Sequence, residues 1–203
     1  MTRKVPFEND EHYHVFNRGV ERRDVFLDED DYSYFVHILN IFNDDAPALN
    51  ARYNYRNRIS IKKRSPIVEI VAYSLLPNHF HLLVKQVVEK GLSRFLQKIG
   101  IGYTLYFNKK YQRSGVLFQG KSKSRHVDTD RYLNYLKMYI ELNPLDLFQS
   151  GWKDDGIASR EKAGNFLANY KWKSKPETDF LKEFSVTPEE FREYVNSIEI
   201  GSQ

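Results

Sequence analysis

The chain has 203 residues, 41% hydrophobic and 15% aromatic, enough to fill the core of one domain with extensions. It has no cysteine, which excludes disulfide scaffolds, cysteine–zinc sites, iron–sulfur clusters and thiol nucleophiles, and no stretch approaches the roughly 18 apolar residues of a membrane span. The formal charge is +4, but residues 176–203 hold seven acids and two bases, so the rest of the chain carries 29 bases against 20 acids, and such a basic body suits a polyanionic partner.

The opening residues have a basic pair with no apolar run behind it, so they do not read as an export signal, and a cytoplasmic location is expected. Residues 12–18 (HYHVFNR) alternate and end at Gly19, which predicts a strand and a turn. Asp28 can cap a helix in which Tyr32, Phe35, Val36, Leu39 and Phe42 recur at helical spacing. Residues 43–66 are polar and turn-like. Residues 67–75 (IVEIVAYSL) are β-branched and strand-like, Pro77-Asn78 is a turn, and 79–85 (HFHLLVK) return as the second arm of a hairpin. A long amphipathic helix is predicted over 91–111, with Leu92, Phe95, Leu96, Ile99, Tyr103, Tyr106 and Phe107 on its apolar face. Residues 116–119 and 124–127 are extended candidates. Asp128 can cap a helix from about Thr129 to Leu142, which Asn143-Pro144 stops.

The first six of these elements follow the split β-α-β order of a ferredoxin-like α+β fold, one antiparallel sheet with helices on one face. Beyond Pro144 a helical C-terminal extension is expected. It includes a helix near 158–168 and a final one opened by Thr187-Pro188-Glu189-Glu190. The domain division is 1–148, with an insertion near 45–64, and 149–203.

His79-Phe80-His81 places two imidazoles on one side of a strand, where they can converge on a metal ion. His12-Tyr13-His14 has identical spacing and is a rival pair. Tyr139 and Asn143 stand at i and i+4 on one helix face, so a phenol and an amide can be presented together. On spacing alone, surface or hydrogen-bonded histidines and a core-edge tyrosine before a helix-terminating Asn-Pro are the better reading. Residues 52–64 hold six bases and no acids, interleaved with Tyr53 and Tyr55, a composition suited to phosphate contact and base stacking, or to a solvated loop. Lys121, Lys123 and Arg125 alternate along one face of an extended segment.

Four blocks together carry a resemblance: YHVFNRG (13–19), LLPNHFHLLV (75–84), GVLFQGKSK (115–123) and YIELNP (139–144). In this order they resemble the single-tyrosine (Y1) HUH transposases, the IS200-like group, and most closely the subgroup associated with repetitive extragenic palindromes (REP). NYKWKS (169–174) also resembles a piece found downstream in that subgroup, with Lys173 where a serine is usual. The resemblance implies a metal-dependent single-stranded DNA endonuclease and strand transferase acting on palindromic or hairpin DNA, as a monomer or homodimer. It implies Tyr139 as nucleophile, forming a 5′-phosphotyrosine, and His79, His81 and Asn143 as ligands of Mg²⁺ or Mn²⁺. His14 is expected to be structural or near DNA. Arg18, Lys121, Lys123, Arg125, Arg56 and Arg58 are candidate DNA contacts. Trp152 and Trp172 are expected to pack. A domesticated endonuclease, or a non-catalytic nucleic-acid binder on the same fold, is the alternative.

Overall fold

Alternation builds the strands. In β1 (His12–Arg18) Tyr13 and Val15 face one way, while His12, His14, Phe16 and Arg18 face the other. β2 (Val68–Leu76) and β3 (His79–Gln86) form the expected hairpin through Pro77-Asn78. β4 (Lys123–Val127) completes a sheet of order β2-β3-β1-β4 in which all neighbours are antiparallel. With α1 (Glu29–Ile41) and α2 (Gly91–Lys110) as crossovers, this is the ferredoxin-like α+β arrangement that the element order predicts. The computed structural model describes residues 6–45 and 65–175. The basic stretch 52–64, with Arg56 and Arg58, and the helix expected after Thr187 lie outside these residues.

Both crossover helices pack on one face. Phe35, Ile38, Phe95, Ile99 and Tyr103 meet Val15, Phe80 and Leu82 there, and the Phe35 ring lies 5.0 Å from Phe80 and 4.9 Å from Tyr103. Asp28 caps α1 as expected, accepting from the Asp31 N–H at 3.1 Å. The buried stripe of α1 is rotated from the predicted one. Tyr34 and Ile38 are buried, whereas Tyr32 is half-buried between Phe26 and Trp172, at 4.6 and 4.9 Å.

α3 (Asp130–Leu142) lies on the opposite face. Its cap is Thr129, not Asp128: the Thr129 hydroxyl accepts from the Tyr132 N–H at 3.2 Å, one residue later than expected. Asn143-Pro144 ends the α-helix but not the helical path. A 3₁₀ segment, Asn143–Leu147, continues from it, because proline fits a first turn whose N–H groups need no helical partner. The extended candidate at 116–119 reduces to a single bridge, Gly19 to Phe118.

Two further helices follow, α4 (Trp152–Asp155) and α5 (Arg160–Asn169), the latter capped by Ser159. Trp152, Ala163 and Leu167 join Leu136, Ile140 and Leu145 in a second core beneath the sheet. The chain then returns to the sheet. The Leu75 N–H donates to the Trp172 carbonyl and the Ser174 N–H to the Tyr73 carbonyl, both at 2.9 Å, so residues 172–174 lie along β2. Trp152 and Trp172 both pack, as expected. Among the described residues no helix is long and apolar enough to cross a membrane.

Candidate active site

β3 faces two ways. Phe80 and Leu82 enter the α1–α2 core, and His79 and His81 point toward α3. The two imidazole centroids are 5.1 Å apart, and the Tyr139 ring stands edge-on to His81 at 5.6 Å. Tyr139 is 2% exposed, and Asn143, one turn later, is fully buried against His79. The strand pair and the helix pair therefore face each other across one site.

Hydrogen bonds orient both imidazoles. His79 Nδ1 is 2.6 Å from the Asn78 side-chain oxygen, which can only accept, so Nδ1 carries the proton and Nε2 is bare. His81 Nδ1 shares a proton with His14 Nε2 across the strands at 2.9 Å. His14 thus belongs to the site through His81, while its sequence neighbour His12 stands two residues further along β1. The His14 ring also stands edge-on to Tyr139 at 6.4 Å, whereas the charges nearest His12 include Lys85 and Lys137.

Electrostatics keep these rings neutral. Burial lowers the His14 pKa to about 3, with help from the Arg125 charge. Burial first, then the charges of Arg18 and Lys153, lower His79 to about 4, against an upward pull from Asp146 and Asn143. Burial and the same cations, with the neighbouring His14 and His79, hold His81 well below its ordinary value. Neutral imidazole is the form that binds metal. Asn143 adds a buried amide whose nitrogen and oxygen make no well-aligned hydrogen bond among the described residues. The site can thus offer two imidazole nitrogens and an amide oxygen. Among the described residues no group of three or more His, Cys, Asp or Glu is placed to hold a metal ion, so a cation here would rest on this mixed set.

The basic residues flank it. Arg18 is exposed at the end of β1, opposite His79 in the register. Lys123 and Arg125 pair with Phe16 and His14 and so share the site's side of the sheet. Lys121 is exposed on a loop that Asn17 ties down, its amide donating to the Gly120 carbonyl at 3.2 Å. Gly19 permits the turn beneath this loop, since a Cβ there would lie 2.1 Å from the Arg23 carbonyl oxygen.

Sequence reasoning missed two residues. Lys153 Nζ lies 5.3 Å from the Tyr139 ring centroid and 2.8 Å from Asp146 Oδ2. Trp152 Nε1 donates to the other oxygen of Asp146 at 2.7 Å. No local pattern marks this group, because its members meet only after the turn at residues 148–151 folds back under α3.

Residues 9–143 match the family model of IS200-like transposases. No curated protein matches the chain in sequence at a significant level. The fold is similar to a solved REP-associated tyrosine transposase bound to a REP hairpin, with a TM-score of 0.53 and 14% identity over 85% of this chain and 81% of that one. A candidate transposase from Deinococcus radiodurans R1 aligns with a TM-score of 0.40 and 15% identity over 70% of this chain and 96% of that one. With the family match spanning about two thirds of its length, the chain belongs to the IS200-like transposase family.

Proposed function

We propose that the protein nicks and rejoins single-stranded DNA, with Tyr139 as the nucleophile. The observation that carries this reading is the convergence of Tyr139, Asn143, His79 and His81 from two separate elements on one site. The phenol oxygen attacks the scissile phosphorus and the bond to the 3′ oxygen breaks. The phenol gives up its proton and the departing 3′ oxygen takes one up, leaving a 5′-phosphotyrosine and a free 3′-OH. The tyrosyl phosphodiester keeps the bond energy, so a 3′-OH can later reverse the step without ATP.

His79, His81 and Asn143 fit a divalent ion, Mg²⁺ or Mn²⁺. Their donors are uncharged, both rings are held neutral, and the Asn143 amide is buried without a well-formed partner among the described residues. Bound there, such an ion supplies positive charge to the scissile phosphate and fixes its orientation. Asn78 and His14 orient the two rings so that Nε2 of His79, and with His81 Nδ1–H donating, Nε2 of His81, point to the site. Arg18, Lys121, Lys123 and Arg125 bind the backbone of the incoming strand, and Arg56 and Arg58 add to this from the insertion. A palindromic hairpin is the expected substrate class, supported by the family and by the hairpin held by the REP-associated relative.

Incubation with single-stranded hairpin DNA and Mn²⁺, followed by a denaturing gel, tests the reading. A 3′ label should travel with the protein and a 5′ label should leave on a shortened strand. Cleavage that leaves both labels on free DNA would remove the tyrosine from its role.

A further inference from the structure

We propose that Lys153 is a further catalytic residue of this site, neutralising the scissile phosphate beside Tyr139. The inference rests on the strand-transfer reading above and adds a group to it.

The case is geometric. Lys153 sits on α4, a helix of four residues, yet its ammonium is closely fixed. Asp146 holds Nζ through one oxygen at 2.8 Å and is itself held through the other by Trp152, a 2% exposed side chain, at 2.7 Å. This places Nζ over the Tyr139 ring at 5.3 Å, with the lysine side chain 16% exposed. The charge also reaches both imidazoles, whose protonation it opposes. A fixed, largely shielded cation beside a proposed nucleophile is what developing negative charge on a phosphate requires. An ammonium has three N–H donors, so Lys153 can keep Asp146 and still donate to a phosphate oxygen. Lys153 makes and breaks no covalent bond and keeps its protons. The proton balance of the cleavage step is unchanged.

A salt bridge that merely secures α4 would predict something different, and the substrate can separate the two. Single-turnover adduct formation is measured at saturating hairpin DNA and Mn²⁺, with an ordinary scissile phosphate and with a neutral methylphosphonate at the same position. Lys153→Met should slow the ordinary substrate by about 10²–10³-fold. It should barely slow the methylphosphonate, which carries no charge to neutralise. Lys153→Arg should restore most of the rate on the ordinary substrate. Equal losses on both substrates, or no loss on either, overturn the inference while leaving wild-type adduct formation intact. Absence of an adduct with the wild-type protein overturns the strand-transfer reading and this inference together.

Discussion

On the α1–α2 side of the sheet, Phe35, Phe80, Phe95 and Tyr103 meet as rings, and the one polar atom among these four side chains, the Tyr103 hydroxyl, donates to the Val25 carbonyl at 2.6 Å. On the α3 side, reached through the same strands, His14, Ser74, His81, Glu141 and Asn143 are all buried. Among the described residues, His14 Nδ1, Ser74 Oγ and both amide atoms of Asn143 make no well-formed hydrogen bond there. A buried polar atom without a partner costs about 1–3 kcal/mol. One face therefore spends its burial on holding the fold, and the other keeps groups that a hydrophobic core would replace. Because side chains alternate, β3 serves both: Phe80 and Leu82 fix the strand against one core and so fix His79 and His81 against the other.

The sharpest way to break this contrast is chemical. Tyr139→Phe removes one oxygen, and adduct formation should fall by at least about a thousandfold, as for a lost nucleophile. Hairpin affinity and the thermal midpoint should hold. Residual cleavage close to wild type on the gel would end the role of Tyr139.

The converse substitution belongs to the other face. Phe35→Ala opens a cavity among rings and should cost about 3–5 kcal/mol in urea denaturation. Adduct formation per folded molecule should stay near wild type. A specific loss of rate in the folded fraction would show that the two faces are coupled.

A milder test separates the two His-x-His pairs. His14→Leu removes the hydrogen-bond partner of His81 and should weaken Mn²⁺ binding by about 10–100-fold in calorimetry. His12→Ala should leave it near wild type, and a comparable loss there would restore the rival pair.

The smallest effect is on pH. His14 and His79 have folded pKa values of about 3 and about 4, against an ordinary 6.5. As pH drops below 6.5 the unfolded chain takes up protons that the folded chain refuses. Stability is therefore full above 6.5 and falls toward pH 4, by up to about 1.4 kcal/mol per pH unit for each histidine. Urea midpoints in chelator should drop over this window, and His14→Leu should make the decline shallower. A flat profile from pH 7 to 5 would mean that water reaches these rings.

Much of this arrangement was legible in the sequence because it rests on local periods. A period of two placed His79 and His81 together, a period of 3.6 aligned Tyr139 with Asn143, and the Pro77-Asn78 turn set the hairpin. The bond from His14 to His81 was not legible, since it depends on the β1–β3 register, and nothing within either strand reveals that. Thr129 and Asp128 are both good caps, and only the path out of β4 decides between them. Lys153 and Asp146 meet through a turn with no period at all. The basic stretch around Arg56 and Arg58 stays a proposal, resting on composition.

The return of residues 172–174 to β2 bears on how the sheet can associate. An exposed edge strand offers its unpaired N–H and C=O groups to any extended chain. Here the Leu75 N–H and the Tyr73 carbonyl are already taken, Trp172 is stacked on Tyr32, and Lys173 and Ser174 both reach Glu141 on the tyrosine helix, at 3.4 and 3.3 Å. A second copy adding strand to strand at β2 would first have to strip this clasp and leave the buried Glu141 carboxylate without those two contacts. The opposite edge, β4, carries Lys123 and Arg125, whose like charges discourage self-pairing. Both edges of the sheet thus resist homotypic strand addition, one by cover and one by charge, and the charged one carries two of the residues proposed to contact DNA.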